Sequence, residues 1–226
     1  MANSKFDPLT YSSIADLHAG KWHLPFSPEI QAVSHSTADL IHQFNQLAPS
    51  QRAERKALQK KILHPDSGQC SIQQPFRVEY GQHTLIGEGC FFNYNTTILD
   101  TAPVTFGKGV LVGPNCQFIT VGHPVDDPVM RAGGWEQAKP ITIGDNVWFG
   151  AGVTVLPGVE IGANCVIGAS TVVTKSVPAN SVVVGNPGRV LRAVDPARAE
   201  RRDLPEGTPV DAFGQIDEED ISGTFF

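Results

Sequence analysis

Seven histidines occur in the 226-residue chain, and one of them, His123, stands where an imidazole could do work. It follows Gly122 in Thr120-Val-Gly-His-Pro124 and opens the only long break in an otherwise periodic stretch. A histidine side chain changes charge near neutral pH, so a positioned one can take a proton from a hydroxyl and later return it to a leaving group. The plain alternative is a solvated loop histidine. Glu136 follows in the same insertion; a carboxylate holding the second nitrogen of such an imidazole would fix its tautomer and steady the imidazolium. A solvated glutamate is the alternative there. Met130 and Trp135 either wall a pocket or pin the loop. Asn93 and Asp100 interrupt the periodic stretch earlier, where an amide or carboxylate either meets a ligand or closes a turn. Near the other end, Thr174, Lys175, Arg189 and Arg192 gather polar and cationic groups that suit phosphates or simply keep the surface soluble.

These side chains must be positioned by a repeat. From Ile143 the chain falls into hexads: Ile143-Gly-Asp-Asn-Val-Trp, Phe149-Gly-Ala-Gly-Val-Thr, Val155-Leu-Pro-Gly-Val-Glu, Ile161-Gly-Ala-Asn-Cys-Val, Ile167-Gly-Ala-Ser-Thr-Val, Val173-Thr-Lys-Ser-Val-Pro. The register extends back through Phe118, Val112 and Phe106 and, after a two-residue slip, through Ile98, Phe92, Ile86 and Tyr80. A period of six is neither that of an isolated strand nor that of a helix. First positions are large and apolar, second positions are often glycine, and fifth positions never exceed valine. Those size rules describe the inside of a narrow three-sided coil stacked on itself. Cys90, Cys116 and Cys165 fall on the small inward position, so they read as buried thiols without chemistry, and Cys70 precedes the repeat.

Before the coil, Ser12 to Gly20 reads as a short helix and Lys21 to Pro28 as a proline-broken loop in which Trp22 and Phe26 pack. Leu40, Ile41, Phe44 and Leu47 predict a helix running from Ser36 to before Pro49; Ala53, Ala57, Leu58 and Ile62 predict a second, capped near Ser50. Two amphipathic helices of this kind suit a lid over the open end of the first coil. The expected organisation is a helical cap over 1–70, a coil over 71–194 with an insertion at 119–140, and a tail over 195–226 docked through Phe213 and Phe225-Phe226. A formal net charge of −6 with no basic tract argues against a nucleic-acid partner. No segment has the length and apolarity to span a bilayer and the first residues lack a leader-like run, so no membrane partner and a cytoplasmic location are expected.

The hexads, together with Thr120-Val-Gly-His-Pro124, Lys139-Pro-Ile-Thr-Ile-Gly-Asp-Asn-Val-Trp148 and Gly185-Asn-Pro-Gly-Arg189-Val, resemble the galactoside and maltose O-acetyltransferase branch of the hexapeptide-repeat acyltransferases. The resemblance covers roughly residues 14–194. It implies a mainly β fold, a left-handed parallel β-helix with an N-terminal helical cap and one protruding loop. It also implies direct transfer of acetyl from acetyl-CoA to a sugar or glycoside hydroxyl, with no metal. His123 would be the base and Asn93 would lie beside it, touching the acceptor. Glu79 stands where relatives carry a shorter Ser or Asp near the sugar, Asp100 could add a contact, and Glu136 matches a glutamate that maltose-type relatives place before Lys-Pro. Ala151 and Ala169 would flank the pantetheine arm, the Ala151 N–H facing the oxyanion. Thr174, Lys175, Arg189 and Arg192 would approach the nucleotide end. Relatives of this kind are homotrimers with sites between subunits. One departure concerns the acceptor: Pro25 stands near the usual place of an acidic sugar ligand. The competing readings are an antibiotic or amino-acid acceptor, a catalytically silent coil, and a zinc carbonic anhydrase. The last needs three histidines, and the coil offers only His83 and His123.

Overall fold

In a computed structural model of the chain, residue 7 and residues 9–195 are described; the expected tail with Phe213 and Phe225-Phe226 lies outside them. The hexads build a coil of three parallel faces. The first face stacks Cys70–Ile72, Cys90–Phe92, Leu111–Val112, Trp148–Phe149, Val166–Ile167 and Ser181–Val184, and ends on the antiparallel strand Arg189–Ala193. The second stacks Phe76–Val78, Thr96–Leu99, Gln117–Ile119, Thr154–Val155 and Val172–Val173, and the third Thr84–Ile86, Val104–Phe106, Ile141–Ile143 and Glu160–Ile161. Every first-position residue of the hexads is buried. On the coil axis Phe92, Phe106, Phe118 and Phe149 form a ladder of edge-to-face rings 5.0, 4.8 and 5.2 Å apart, the arrangement that the ring quadrupole favours.

One register assignment changes. Val78 lies beneath Ile98, as Ile86 lies beneath Phe106, so Val78 and not Tyr80 fills the strand position of the first coil. Tyr80 instead packs with Leu17 and Ile30 of the helical region. The roles of the repeat positions also change. The second-position glycines are needed because coils approach too closely for a side chain: a Cβ on Gly144 or Gly150 would sit 2.6 Å from a backbone nitrogen of the coil above. In most hexads the turning residue is the fourth, where Asn95, Asn115, Asn146, Asn164 and Ser170 hold φ between 54 and 62°. Asparagine tolerates this left-handed conformation better than most residues. Asn146, Asn164 and Asn180 also bond amide to amide up one corner, at 3.0 and 3.1 Å.

Among the described residues four helices accompany the coil: α1 (Ile14–His18), α2 (Pro28–Gln46), α3 (Arg52–Ile62) and α4 (Pro128–Ala132). α2 starts eight residues before the expected Ser36, because Ser27 caps it through Ile30 N–H and Pro28 occupies its first turn, where a missing N–H costs nothing. α3 begins after Gln51 without a side-chain cap, not at Ser50. Both bring Ile41, Phe44 and Ile62 into the coil's core. They also satisfy the bottom strand edge: Asn45 exchanges two 2.9 Å bonds with the Phe76 backbone and Arg55 donates to Ile72 O at 2.6 Å. Trp22 and Phe26 do not pack inside the loop as expected; each is 39 % exposed. Among the described residues no helix is long and apolar enough to cross a membrane.

Candidate active site

The insertion is an arm rather than a loose loop. Val121–Gly122 and Gln137–Ala138 pair antiparallel at its base, and α4, capped by the Asp127 side chain, forms its tip. Gly122 faces Gln137, so continuing the ladder by one residue sets His123 across from Glu136. On the far side, the backbone of Glu136 exchanges two 2.9 Å bonds with His23, an antiparallel bridge from the segment after α1. Three short extended segments thus place His123, Glu136 and His23 in one row, and directly opposed residues project to the same side of a ladder.

The row has a defined hydrogen-bond order. His123 Nδ1 lies 2.9 Å from Trp135 O, an acceptor, so that nitrogen donates and Nε2 keeps its lone pair. The ring is 52 % exposed, and Nε2 lies 3.7 Å from Glu136 Oε1, short of a hydrogen bond. The expectation that Glu136 orients the ring through the second nitrogen is therefore corrected: the Trp135 carbonyl does that, and the carboxylate stands beside the open nitrogen. Glu136 Oε2 lies 3.6 Å from Nε2 of His23, whose side chain is fully buried. No local sequence signal marks His23. Trp135 packs edge-on against Tyr11 at 5.1 Å, and Met130, on α4, is half-buried.

The arm leaves the corner between the second and third faces, and the earlier irregularities stack on that corner. Tyr80 N donates to Asp100 Oδ1 at 2.8 Å, Glu79 N at 3.2 Å, and Thr84 Oγ1 donates to Oδ2 at 2.8 Å. Asp100 is fully buried and its oxygens are engaged, so it closes the wider turn and does not present a carboxylate to a ligand. Glu79 is half-buried beside it; burial first, then the Asp100 and Glu136 charges, push its carboxyl up to about 7, and Thr101 donates to it at 3.3 Å. Thr174 and Lys175 occupy the same corner two coils above the arm and are exposed.

Asn93, Ala151 and Ala169 are not on that corner. Each follows a strand of the first face and precedes one of the second, so they stack on the neighbouring corner of the prism. Asn93 Oδ1 accepts from Tyr94 N at 2.8 Å, while Ala151 and Ala169 are exposed. No backbone acceptor among the described residues takes the Ala151 N–H. Arg189 and Arg192 lie on the last strand of the first face, exposed, and among the described residues their guanidinium groups bond to the adjacent carbonyls of Gly188 and Ala193. One chain therefore does not gather the expected residues into one site. The thiols offer no nucleophile: Cys90, Cys116 and Cys165 donate to carbonyls inside the coil, and burial pushes Cys70 and Cys90 up to about 12 and 11.

Two family signatures match the chain: "bacterial transferase hexapeptide (six repeats)" over residues 140–175 and "maltose acetyltransferase hexapeptide capping motif" over 17–66. Galactoside O-acetyltransferase of Escherichia coli is 40% identical over 156 residues, 69% of this chain and 76% of that protein. The crystal structure of a maltose O-acetyltransferase from Clostridium difficile superposes with a TM-score of 0.79 at 34% identity, covering 81% of this chain and 98% of the other. A hexapeptide-repeat acetyltransferase from Vibrio cholerae, solved with acetyl coenzyme A, gives 0.76 at 37% identity over 81% and 99%.

Proposed function

The chain belongs to the hexapeptide-repeat acetyltransferases of the galactoside and maltose O-acetyltransferase type, and from that premise we propose that it moves acetyl from acetyl-CoA to a hydroxyl of a sugar or glycoside with His123 as general base. The carrying observation is the His123 ring itself, fixed through Nδ1 by the Trp135 carbonyl and exposing a free Nε2. Nε2 takes the acceptor hydroxyl proton while the oxygen attacks the thioester carbonyl. The C–S bond then breaks and the thiolate takes the proton back from Nε2. Glu136, 3.7 Å away, stabilises the intervening imidazolium. The Ala151 N–H is a free donor for the oxyanion. Thr174, Lys175, Arg189 and Arg192 serve the nucleotide end.

A homotrimer follows from the same reading. The arm with His123 rises from one corner of the prism, whereas Asn93, Ala151 and Ala169 line another, and a copy packed beside the first would join the two columns. Leu111 and Trp148, stacked in register on the outer first face and 45 % and 54 % exposed, support such packing. Lys175 sits roughly 10 Å above the arm at about 4.8 Å per coil, a separation suited to an extended cofactor along the groove. Four unpaired cysteines suit the cytoplasm. The test is H123A assayed by release of free CoA from acetyl-CoA over a panel of galactosides, glucosides, amino acids and aminoglycosides. Loss of roughly 10²–10⁴ in kcat is expected. Activity near the wild-type level refutes the base; transfer confined to amines refutes the sugar.

A further inference from the structure

His23 has no place in the reaction just described, yet its side chain is fully buried and its Nε2 is a buried nitrogen without a hydrogen-bond partner. Such orphaned groups are rare because each forfeits the bonds it had in water. Its Nδ1 lies 3.1 Å from Lys21 O, which only accepts, so Nδ1 carries a hydrogen. The group facing Nε2 is Glu136 Oε2, at 3.6 Å, a few tenths of an ångström beyond hydrogen-bond length like the contact to His123; what sets the two apart is burial, since the His123 ring is 52 % exposed and can meet water while His23 cannot. An ionised carboxylate against a bare lone pair would leave the buried nitrogen unsatisfied, while the carboxylate, 21 % exposed, can still meet water. A single proton between them satisfies both, whichever atom holds it more tightly.

We propose that His23 is a positioning residue that acts through Glu136: a proton shared between His23 Nε2 and Glu136 Oε2 tethers the carboxylate, so that its other oxygen faces His123 Nε2 without capturing it. This deepens the preceding reading and rests on His123 being the base. The tether resolves a conflict in that site. A freely turning carboxylate next to an open imidazole nitrogen would bond to it, hold the ring protonated and remove the base. Held on the other side by His23, Glu136 stays near enough to stabilise the imidazolium once it forms and too far to compete with the acceptor hydroxyl. The cross-strand row supplies the rigidity, since both imidazoles and the carboxylate rise from paired backbone. Other titratable groups border the row, and the buried Tyr80 is among those within electrostatic reach of Glu136. Glu79 lies within electrostatic reach of both Glu136 and His23, with Asp100 behind it, and the Lys21 ammonium turns away to Asp16 at 2.8 Å.

Two amides separate this tether from simple filling of space. The amide nitrogen of H23Q reaches the place of Nε2, and that of H23N the place of Nδ1. In the full-length enzyme, H23Q is expected to keep kcat within about threefold, while H23N loses roughly tenfold, a coupling ordinary for one hydrogen-bonded network. H23N should also move the acid limb of the kcat/KM profile to higher pH, because the released carboxylate holds His123 protonated. Placed in an E136Q background, H23N should cost nothing further. Equal activity of the two amides, an unmoved acid limb, or an additive loss in E136Q overturns the proposal. If neither variant folds, wild-type protein labelled with 15N-histidine decides: an exchange-protected proton bonded or hydrogen-bonded to His23 Nε2 supports the tether, and an Nε2 that couples to no such proton refutes it. H123A run in parallel separates the two readings, since an active H123A sinks the base itself, whereas an inactive H123A beside indifferent His23 variants sinks only the tether.

Discussion

Replacing Glu79 by Gln makes the electrostatics of the arm's corner measurable. Three things disfavour the charge of Glu79: its burial, the buried Asp100 and Glu136. Its carboxyl is pushed from 4.5 up to about 7. The native state therefore binds a proton more tightly than the unfolded chain does, and stability falls as pH rises through the window from 4.5 to about 7. At about 1.4 kcal/mol per unit the cost reaches at most about 3 kcal/mol above that window and is small near pH 5. Glutamine keeps the shape and can still accept from Thr101, but has no charge to bury. E79Q should thus unfold near the wild-type temperature at pH 5 and higher at pH 8. At ~2–4 °C per kcal/mol the gain is roughly 6–12 °C. Calorimetric melts of both proteins at the two pH values, at one protein concentration because assembly would contribute, provide the check. A difference in melting temperature that is the same at both pH values refutes the assignment of Glu79 as a buried, charge-averse carboxyl.

F149A removes the top ring of the axial ladder, which sits between Val112 and Ile167 and edge-on to Phe118, and should cost roughly 3–5 kcal/mol in chemical denaturation; a loss below about 1 kcal/mol would show that the ladder is not a packed core. Mixing denatured H123A and N93A chains and refolding them together should restore part of the activity if the site joins two subunits, because some interfaces then carry both native residues. No recovery, with trimers confirmed by light scattering, refutes the shared site. K175A should raise the KM for acetyl-CoA severalfold and leave kcat nearly unchanged, the pattern of a group that binds ground and transition states alike; a fall in kcat alone contradicts the assignment to the nucleotide end.

The hexads alone determined the coil. A large residue, a close-approach glycine, a left-handed asparagine or glycine and a small residue recur locally, and each demand is met within six residues. His123 was legible for the same reason, since an interruption of a strict period identifies itself. Tyr80 shows the limit of counting: its apolar ring fits the period, but the strand position belongs to Val78, and only the pairing of Val78 with Ile98 reveals it. Asp100 likewise reads as ligand or turn until its three inward hydrogen bonds are seen. What the tertiary structure alone decided is which side chains meet. The row of His123, Glu136 and His23 draws on two distant segments of the chain joined by backbone pairing, and Asn93 and Ala151 fall on a corner apart from His123. Periodicity encodes the section of the prism, a local property. The company each residue keeps depends on how far the chain has travelled around it, and on arms that cross between turns.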